Sequence, residues 1–292
     1  MSNPLSMNRF LHTFSLLVML LAAVPAYSQN FVFDWKSEPI DGHRTGVTAS
    51  NADNVPSTMG VMKGRKYVSP SGKVFRRGVT PAVAAVMLAA QEAMAVNKQV
   101  IAHSARLMSS GYPECELYDW YVDELMRAVS DSTGKKVHVG ITNRRGVRTD
   151  MPEGDILHDD IMSMFPFRNR ICYVALHGRD LLAILEQMAG SRFQIVGGVK
   201  VVAKDGRLVS ALIDGEPVAE DRVYGVATLD FLLDGGDGYH VARNAVEVIE
   251  CNGYLYDTML SYVRSIEAQG RMIEFENQGW ITLIGEGNID ED

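Results

Sequence analysis

Cysteine is scarce: Cys115, Cys172 and Cys251 are the only three in 292 residues. That excludes a scaffold held together by a disulfide framework. An oxidising compartment would allow one pair and leave one thiol over, and the spacing selects no pair. Cys172 falls inside an apolar strand pattern, so the expectation is three buried free thiols. The seven histidines stand singly along the chain, without the paired spacing of a metal site. The Gly-x-Ser-x-Gly turn of serine hydrolases is absent, as is any repeat with a period of about 20–50 residues. Basic residues are in deficit, 28 Lys and Arg against 36 Asp and Glu, giving a net charge of −8. Non-specific nucleic-acid binding is therefore disfavoured, and a small anionic ligand would need a local cluster of basic groups.

Long apolar runs are also lacking. The one strong run, Phe14 to Val24, is shorter than the roughly 20 residues that cross a bilayer. Arg9 precedes it, and Ala26 and Ser28 stand at the −3 and −1 positions of a cleavage site. Residues 1–28 thus read as a signal peptide, with Gln29 the expected mature N-terminus. Without a later membrane span, the expected location is the periplasm or the exterior.

The remaining residues carry ordinary globular signals. Residues 29–79 read as an irregular extension, with one hairpin in which Tyr67 and Val68 turn at Pro70-Ser71-Gly72 into Val74 and Phe75. Thr80-Pro81 announces a helix, Thr as N-cap and Pro at the first position. Val83, Val86, Met87, Ala90 and Met94 are its stripe, and Asn97 its end. A second helix has acids Glu114, Glu116 and Asp119 at its start, a face of Leu117, Tyr121, Leu125, Ala128 and Val129, and Gly134 as its stop. Val137, Val139 and Ile141 alternate as a half-buried strand. Ile171 to Leu176 is a continuous apolar strand, followed by a helix on Leu181, Ile184, Leu185 and Met188. Asp205-Gly206 and Asp214-Gly215 are hairpin turns. Strands at Tyr224–Thr228 and Val246–Ile249 precede a last helix on Leu255, Met259, Tyr262, Val263 and Ile266. The pattern predicts an α/β fold with a mixed sheet.

Three loops stand out: Asn143-Arg144-Arg145-Gly146-Val147-Arg148, Phe165-Pro166-Phe167-Arg168-Asn169, and Phe231-Leu232-Leu233-Asp234-Gly235-Gly236-Asp237-Gly238-Tyr239. Each has a plainer explanation when taken alone, as a glycine turn, a core aromatic or a solvated charge. Asp159-Asp160 and Glu153/Asp155 likewise read as helix N-cap and turn acids rather than a catalytic carboxylate pair.

In this order and spacing the three loops resemble the Asn-x-Gly-Gly-Ile-Arg, Pro-Phe-x-Asn and Phe-Leu-x-x-Gly-Gly-Asp-Gly-Tyr/Phe motifs of the C-terminal domain of the 5'-nucleotidase/UDP-sugar hydrolase family. Leu176-His177-Gly178, Tyr224 to Thr228 and Glu114 to Met126 extend the likeness over roughly residues 98 to 270. The resemblance implies a mixed-sheet α-β-β-α sandwich. Its implied division is a linker helix at 80–97, the domain proper at 98–278 and an acidic tail at 279–292. It also implies substrate-binding roles. Phe167 and Phe231 would sandwich a base, and Asp237 would accept hydrogen bonds from a ribose. Gly235 and Gly236 would let the backbone approach the sugar. Arg148 would meet a phosphate or ribose oxygen, and Asn143 the base edge. The loop departs from the family pattern at Arg144 and Arg145, which would be strained at positive φ. Glu116 stands where the family often has Arg.

The family's hydrolysis uses two metals on a separate N-terminal domain. The Asp-x-His, Gly-Asn-His-Glu and Gly-His-x-His motifs that hold them are missing from this sequence. The expectation is therefore no catalytic residue, no metal ligand and no cofactor in this chain. It reads as the nucleotide- or nucleoside-recognition subunit of a split 5'-nucleotidase, divalent metals and catalysis coming from a separately encoded metallophosphoesterase. The alternatives are a stand-alone nucleoside-binding protein and a degenerate domain kept for protein contact.

Overall fold

The computed structural model describes residues 45–48 and 55–285. The signal-peptide reading, the first part of the extension and the final acids lie outside them. Among the described residues no helix is long and apolar enough to cross a membrane.

The N-terminal part forms a short helix α1 (Val55–Met59) and a three-stranded sheet of β1 (Val61–Lys63), β2 (Lys66–Val68) and β3 (Val74–Phe75). The expected hairpin is present, with Tyr67 opposite Phe75 and Val68 opposite Val74. Helix α2 (Val79–Ala90) begins two residues earlier than expected, with Gly78 and not Thr80 as its N-cap. It stops at Ala90, and Ala95–Lys98 forms a 3₁₀ turn instead of continuing to Asn97. Its stripe is not a core face: Val83, Val86 and Met87 are all exposed.

Strand β4 (Val100–Ser104) pairs with β6 (Gly154–Leu157). Helix α3 (Glu116–Thr133) ends at Gly134, whose left-handed φ of 66° closes it. Strand β5 (Val139–Thr142) follows. Helix α4 (His158–Met164) starts on Asp159 and Asp160, and the Asp160 carboxylate accepts the Leu157 N–H at 2.7 Å; these acids serve the helix end. Then come β7 (Arg170–His177), α5 (Gly178–Ala189), β8 (Ile195–Gly197), β9 (Lys200–Lys204), β10 (Arg207–Ile213), β11 (Glu216–Pro217) and β12 (Val223–Leu229). The chain continues with α6 (Asp230–Leu233), β13 (Glu247–Tyr254), α7 (Leu255–Ala268) and β14 (Ile281–Ile284). The two hairpin turns hold Asp205 at φ 48° and Asp214 at φ 54°, each followed by a glycine of positive φ, as tight two-residue turns require.

The central sheet has the order β13-β7-β12-β5-β8, with β12 and β5 parallel and the other neighbours antiparallel. A second sheet has the order β11-β10-β9-β14. The segment read as an acidic tail thus supplies a strand, β14, parallel to β9. The architecture is the expected α-β-β-α sandwich with mixed sheets. Ile171, Tyr173 and Ala175 of β7 face α3 and α7, while Val174 and Leu176 face a second core shared with α5 and the β9–β10 sheet. Both faces of the central sheet are therefore covered. For the same reason β5 is buried at all four positions rather than half-buried. Helix α3 lies so close to β5 that a Cβ on Gly140 would sit 2.4 Å from the Val122 side chain.

Trp120 and Tyr121 anchor the α3 side of the core. Trp120 stacks on Tyr262 at 5.9 Å, and the Tyr121 hydroxyl bonds the Thr142 hydroxyl at 2.8 Å. Cys172 and Cys251 are buried free thiols and Cys115 is a half-buried one. Burial pushes the Cys172 thiol up to about 12, which keeps it protonated and inert.

Candidate functional site

Strand directions bring four loops to one edge of the central sheet. The parallel strands β5 and β12 both end there, so the loop starting at Asn143 and the loop starting at Asp230 emerge side by side. Strands β7 and β8 run the opposite way, so the segments just before them, around Phe167 and Arg192, arrive at the same edge. Ligands of open α/β sheets collect at such an edge, where loops diverge from adjacent strand ends.

Asn143 follows β5 directly and is only 5% exposed. Its Nδ2 donates to the Asp237 carboxylate at 2.9 Å. That bond fixes the amide orientation and leaves the Asn143 Oδ1 buried without a partner. In this state the Asn143 amide is spent on Asp237 rather than held free for a ligand. Arg144 to Gly146 form a 3₁₀ turn, and neither Arg144 nor Arg145 has positive φ. The arginines are accommodated without backbone strain.

The glycine loop is shaped by contact as well as by turning. A Cβ on Gly236 would lie 2.1 Å from the Phe231 carbonyl oxygen and 2.7 Å from its ring. Gly236 is therefore the floor on which Phe231 rests. Asp237 sits at φ 48°, in the left-handed region, which Asp tolerates better than most residues and which recurs at functional sites. The buried Tyr239 closes the loop, its hydroxyl donating to the Arg192 carbonyl at 3.3 Å.

These loops enclose a cleft of about 600 Å³ lined by Tyr118, Arg144, Arg145, Arg148, Arg192 and Asp237, with Val147 and Gln194. The expected residues Arg148 and Asp237 share it, and Asn143 lies behind Asp237. Phe167 and Phe231 do not line it. Each is 44% exposed, Phe167 on the segment before β7 and Phe231 in α6 with its ring against Gly236. Neither is a core residue. Glu116 is turned away and pairs with Arg106 at 3.1 Å.

Sequence reasoning missed Tyr118, Arg192 and Gln194. Arg192 precedes a strand of three residues and belongs to no periodic pattern. Tyr118 read as one more position of an amphipathic helix. Among the described residues, no three His, Cys, Asp or Glu side chains are grouped to hold a metal ion. The cleft offers several guanidiniums, one carboxylate and a buried amide. It can bind an anion joined to a hydroxyl-bearing group, and it presents no nucleophile backed by a base.

A model of the family described as 5'-nucleotidase, C-terminal domain, matches residues 95–244. The chain belongs to that family. Protein UshA of Escherichia coli K12 is 32% identical over 120 residues, 39% of this chain and 22% of that protein. An apyrase of Tabanus yao is 27% identical over 168 residues, 50% of this chain and 30% of that protein. The chain thus spans less than a third of the length of either relative. A 5'-nucleotidase precursor from Thermus thermophilus superposes with a TM-score of 0.63 at 22% identity, covering 71% of this chain and 44% of that one. At that identity the likeness speaks for the fold.

Proposed function

We propose that this 5'-nucleotidase C-terminal domain protein recognises a nucleotide or nucleoside as the binding half of a split 5'-nucleotidase, acting in the periplasm or outside the cell. The carrying observation is the joining of Asn143 and Asp237 at one wall of a cleft that also holds Arg148. In this reading Asp237 accepts from the ribose hydroxyls and Arg148 meets a phosphate or ribose oxygen. Gly235 and Gly236 keep the loop thin enough for the sugar to approach. Phe167 and Phe231, exposed at the same edge of the sheet, cover the base. Adenosine or UMP displacing the Asn143–Asp237 bond would free the amide for the base edge.

Metal-dependent hydrolysis would need ligands that the described side chains do not group together. A separately encoded metallophosphoesterase would supply them.

Calorimetry on the full chain tests the recognition step. Adenosine, AMP and UMP are expected to bind, and Asp237→Ala to weaken each by about 10-fold or more, the usual worth of a hydrogen bond to a charged group. Absence of binding by all three would sink the recognition reading. The purified chain is expected not to hydrolyse AMP with Mg²⁺ or Mn²⁺. Chelator-sensitive turnover that disappears on a substitution in this chain would overturn the division of labour.

A further inference from the structure

The cleft holds more positive charge than one phosphate needs. A phosphomonoester carries about −1.5 to −2, whereas Arg144, Arg145, Arg148 and Arg192 all line the site. The protein has acids to spare, with a net charge of −8. Several arginines elsewhere are matched to them: Arg106 to Glu116, Arg127 to Glu124 and Asp131, Arg207 to Glu186. Among the described residues no carboxylate forms an ion pair with any of the four cleft arginines.

Two of them are held by aromatic rings instead. The Arg144 guanidinium lies 4.9 Å from the centre of the Tyr112 ring and 5.0 Å from that of Tyr118. The Arg192 guanidinium lies 4.8 Å from the same Tyr112 ring. Stacking of this kind orients the planar fork and keeps its N–H edge open to an anion; in this state Arg144 Nη1 also makes a long donation to the Pro113 carbonyl at 3.5 Å. Both backbones are pinned as well. The Arg144 N–H donates to Gln194 Oε1 at 3.1 Å, and the Arg192 carbonyl accepts from Tyr239. Burial, with a further contribution from the like charge of Arg192, pulls the Arg144 pKa below its usual value. Two cations are therefore held near one ring at an electrostatic cost that a bound anion would relieve.

We infer that Tyr112, Arg144 and Arg192 form a second anion subsite beside the Asn143–Asp237 corner, fitted to a ligand that carries two phosphoryl groups. The inference rests on the nucleotide-recognition reading for the rest of the ligand. The second phosphoryl has two chemical sources, the far end of a 5'-diphosphate or a separate phosphate on the ribose 3' oxygen.

Calorimetry with AMP, ADP, adenosine 3',5'-bisphosphate and inorganic pyrophosphate on the full chain decides the matter. Wild type is expected to bind ADP or the bisphosphate at least about 10-fold more tightly than AMP, and the preferred one identifies the source. Arg192→Ala and Arg144→Ala are expected to bring that ratio close to one, and Arg192→Lys to recover part of it, since charge remains but the fork is lost. Melting curves check that the variants fold. No preference in wild type, or a preference that survives in both alanine variants, overturns the subsite. So does a loss of AMP and ADP affinity by equal factors. If adenosine and AMP fail to bind while pyrophosphate binds and is lost in Arg192→Ala, the subsite stands and the nucleotide-recognition reading falls. If pyrophosphate also fails to bind, both fall.

Discussion

Replacing Phe167 or Phe231 by alanine is expected to weaken nucleoside binding by about 5- to 150-fold while leaving the melting temperature of the ligand-free protein close to that of wild type. The expectation follows from where the rings sit. Each is 44% exposed, so truncation opens space to solvent and leaves no enclosed cavity. Stacking a base on such a ring is worth about 1–3 kcal/mol per base and tolerates any base. Phe231 has a further constraint, because its ring lies against Gly236, so its loss would also loosen the loop that presents Asp237. Buried Phe165, tilted against Tyr121 at 5.0 Å, supplies the contrast. Phe165→Ala is expected to cost about 3–5 kcal/mol of stability, as core phenylalanines do. Calorimetry with adenosine and UMP, run beside melting curves for all three variants, separates the cases. A fall in melting temperature for Phe167→Ala or Phe231→Ala with affinity unchanged would return those rings to a structural role.

Much of the fold was legible because local chemistry and the global architecture agree. Asp205-Gly206 and Asp214-Gly215 specify their hairpins through left-handed backbone that few other dipeptides tolerate. Gly134 closes α3 for the same reason. The strand at β7 was evident because both its faces are buried, leaving a continuous apolar run. That same double burial misled the reading of β5, where Gly140 and Thr142 look like solvent-facing positions. They are instead covered by α3, Gly140 by close approach and Thr142 by its bond to Tyr121. The stripe of α2 misled in the opposite direction: helical spacing was correct in kind, but Val86 is exposed. Periodicity reports which residues share a face, not whether anything covers it. Strands of three or four residues, such as β8 and β14, carry too little pattern of their own and are fixed by the partner strand.

The candidate site was legible where backbone constraints write themselves into sequence. Gly236 cannot bear a side chain under Phe231, whereas the hydrogen bond that joins Asn143 to Asp237, 94 positions apart, is seen only in the structure. Arg192 carries no such mark. Its place in the cleft depends on β8 running antiparallel to β5, a fact of topology that one sequence does not display. Arg144 read as a departure from the family pattern, and only its stacking on Tyr112 and Tyr118 gives it a place in the cleft. Glu116 shows the converse, a charge that stands where the family often has Arg yet belongs to an ion pair with Arg106.

The stability of the protein is expected to fall as pH rises from about 4 to about 8, on the order of 5 kcal/mol from one buried carboxyl group. Asp119, in the first turn of α3, is 1% exposed. Burial first, and the neighbouring Glu114 carboxyl second, push its pKa up to about 8. In the unfolded chain it returns to about 3.9. Between those values the folded state holds a proton that the unfolded state has released. The contribution is therefore full below about pH 4, declines through the interval and is gone above about pH 8. The pair also holds a distant segment in place. Asp119 Oδ2 accepts the Gln278 N–H at 2.7 Å, and Glu114 Oε2 accepts the Ile281 N–H at 2.8 Å. Ionising Asp119 sets a buried charge beside the Glu114 carboxyl at the point where β14 begins. Melting curves from pH 5 to 9 are expected to show the decline and Asp119→Asn to flatten it, since the amide keeps an acceptor for Gln278 and cannot ionise. Protection of the Gln278 and Ile281 amides, corrected for the intrinsic pH dependence of exchange, is expected to drop above pH 8 in wild type and hold in the variant. A decline of equal slope in Asp119→Asn would place the titrating group elsewhere.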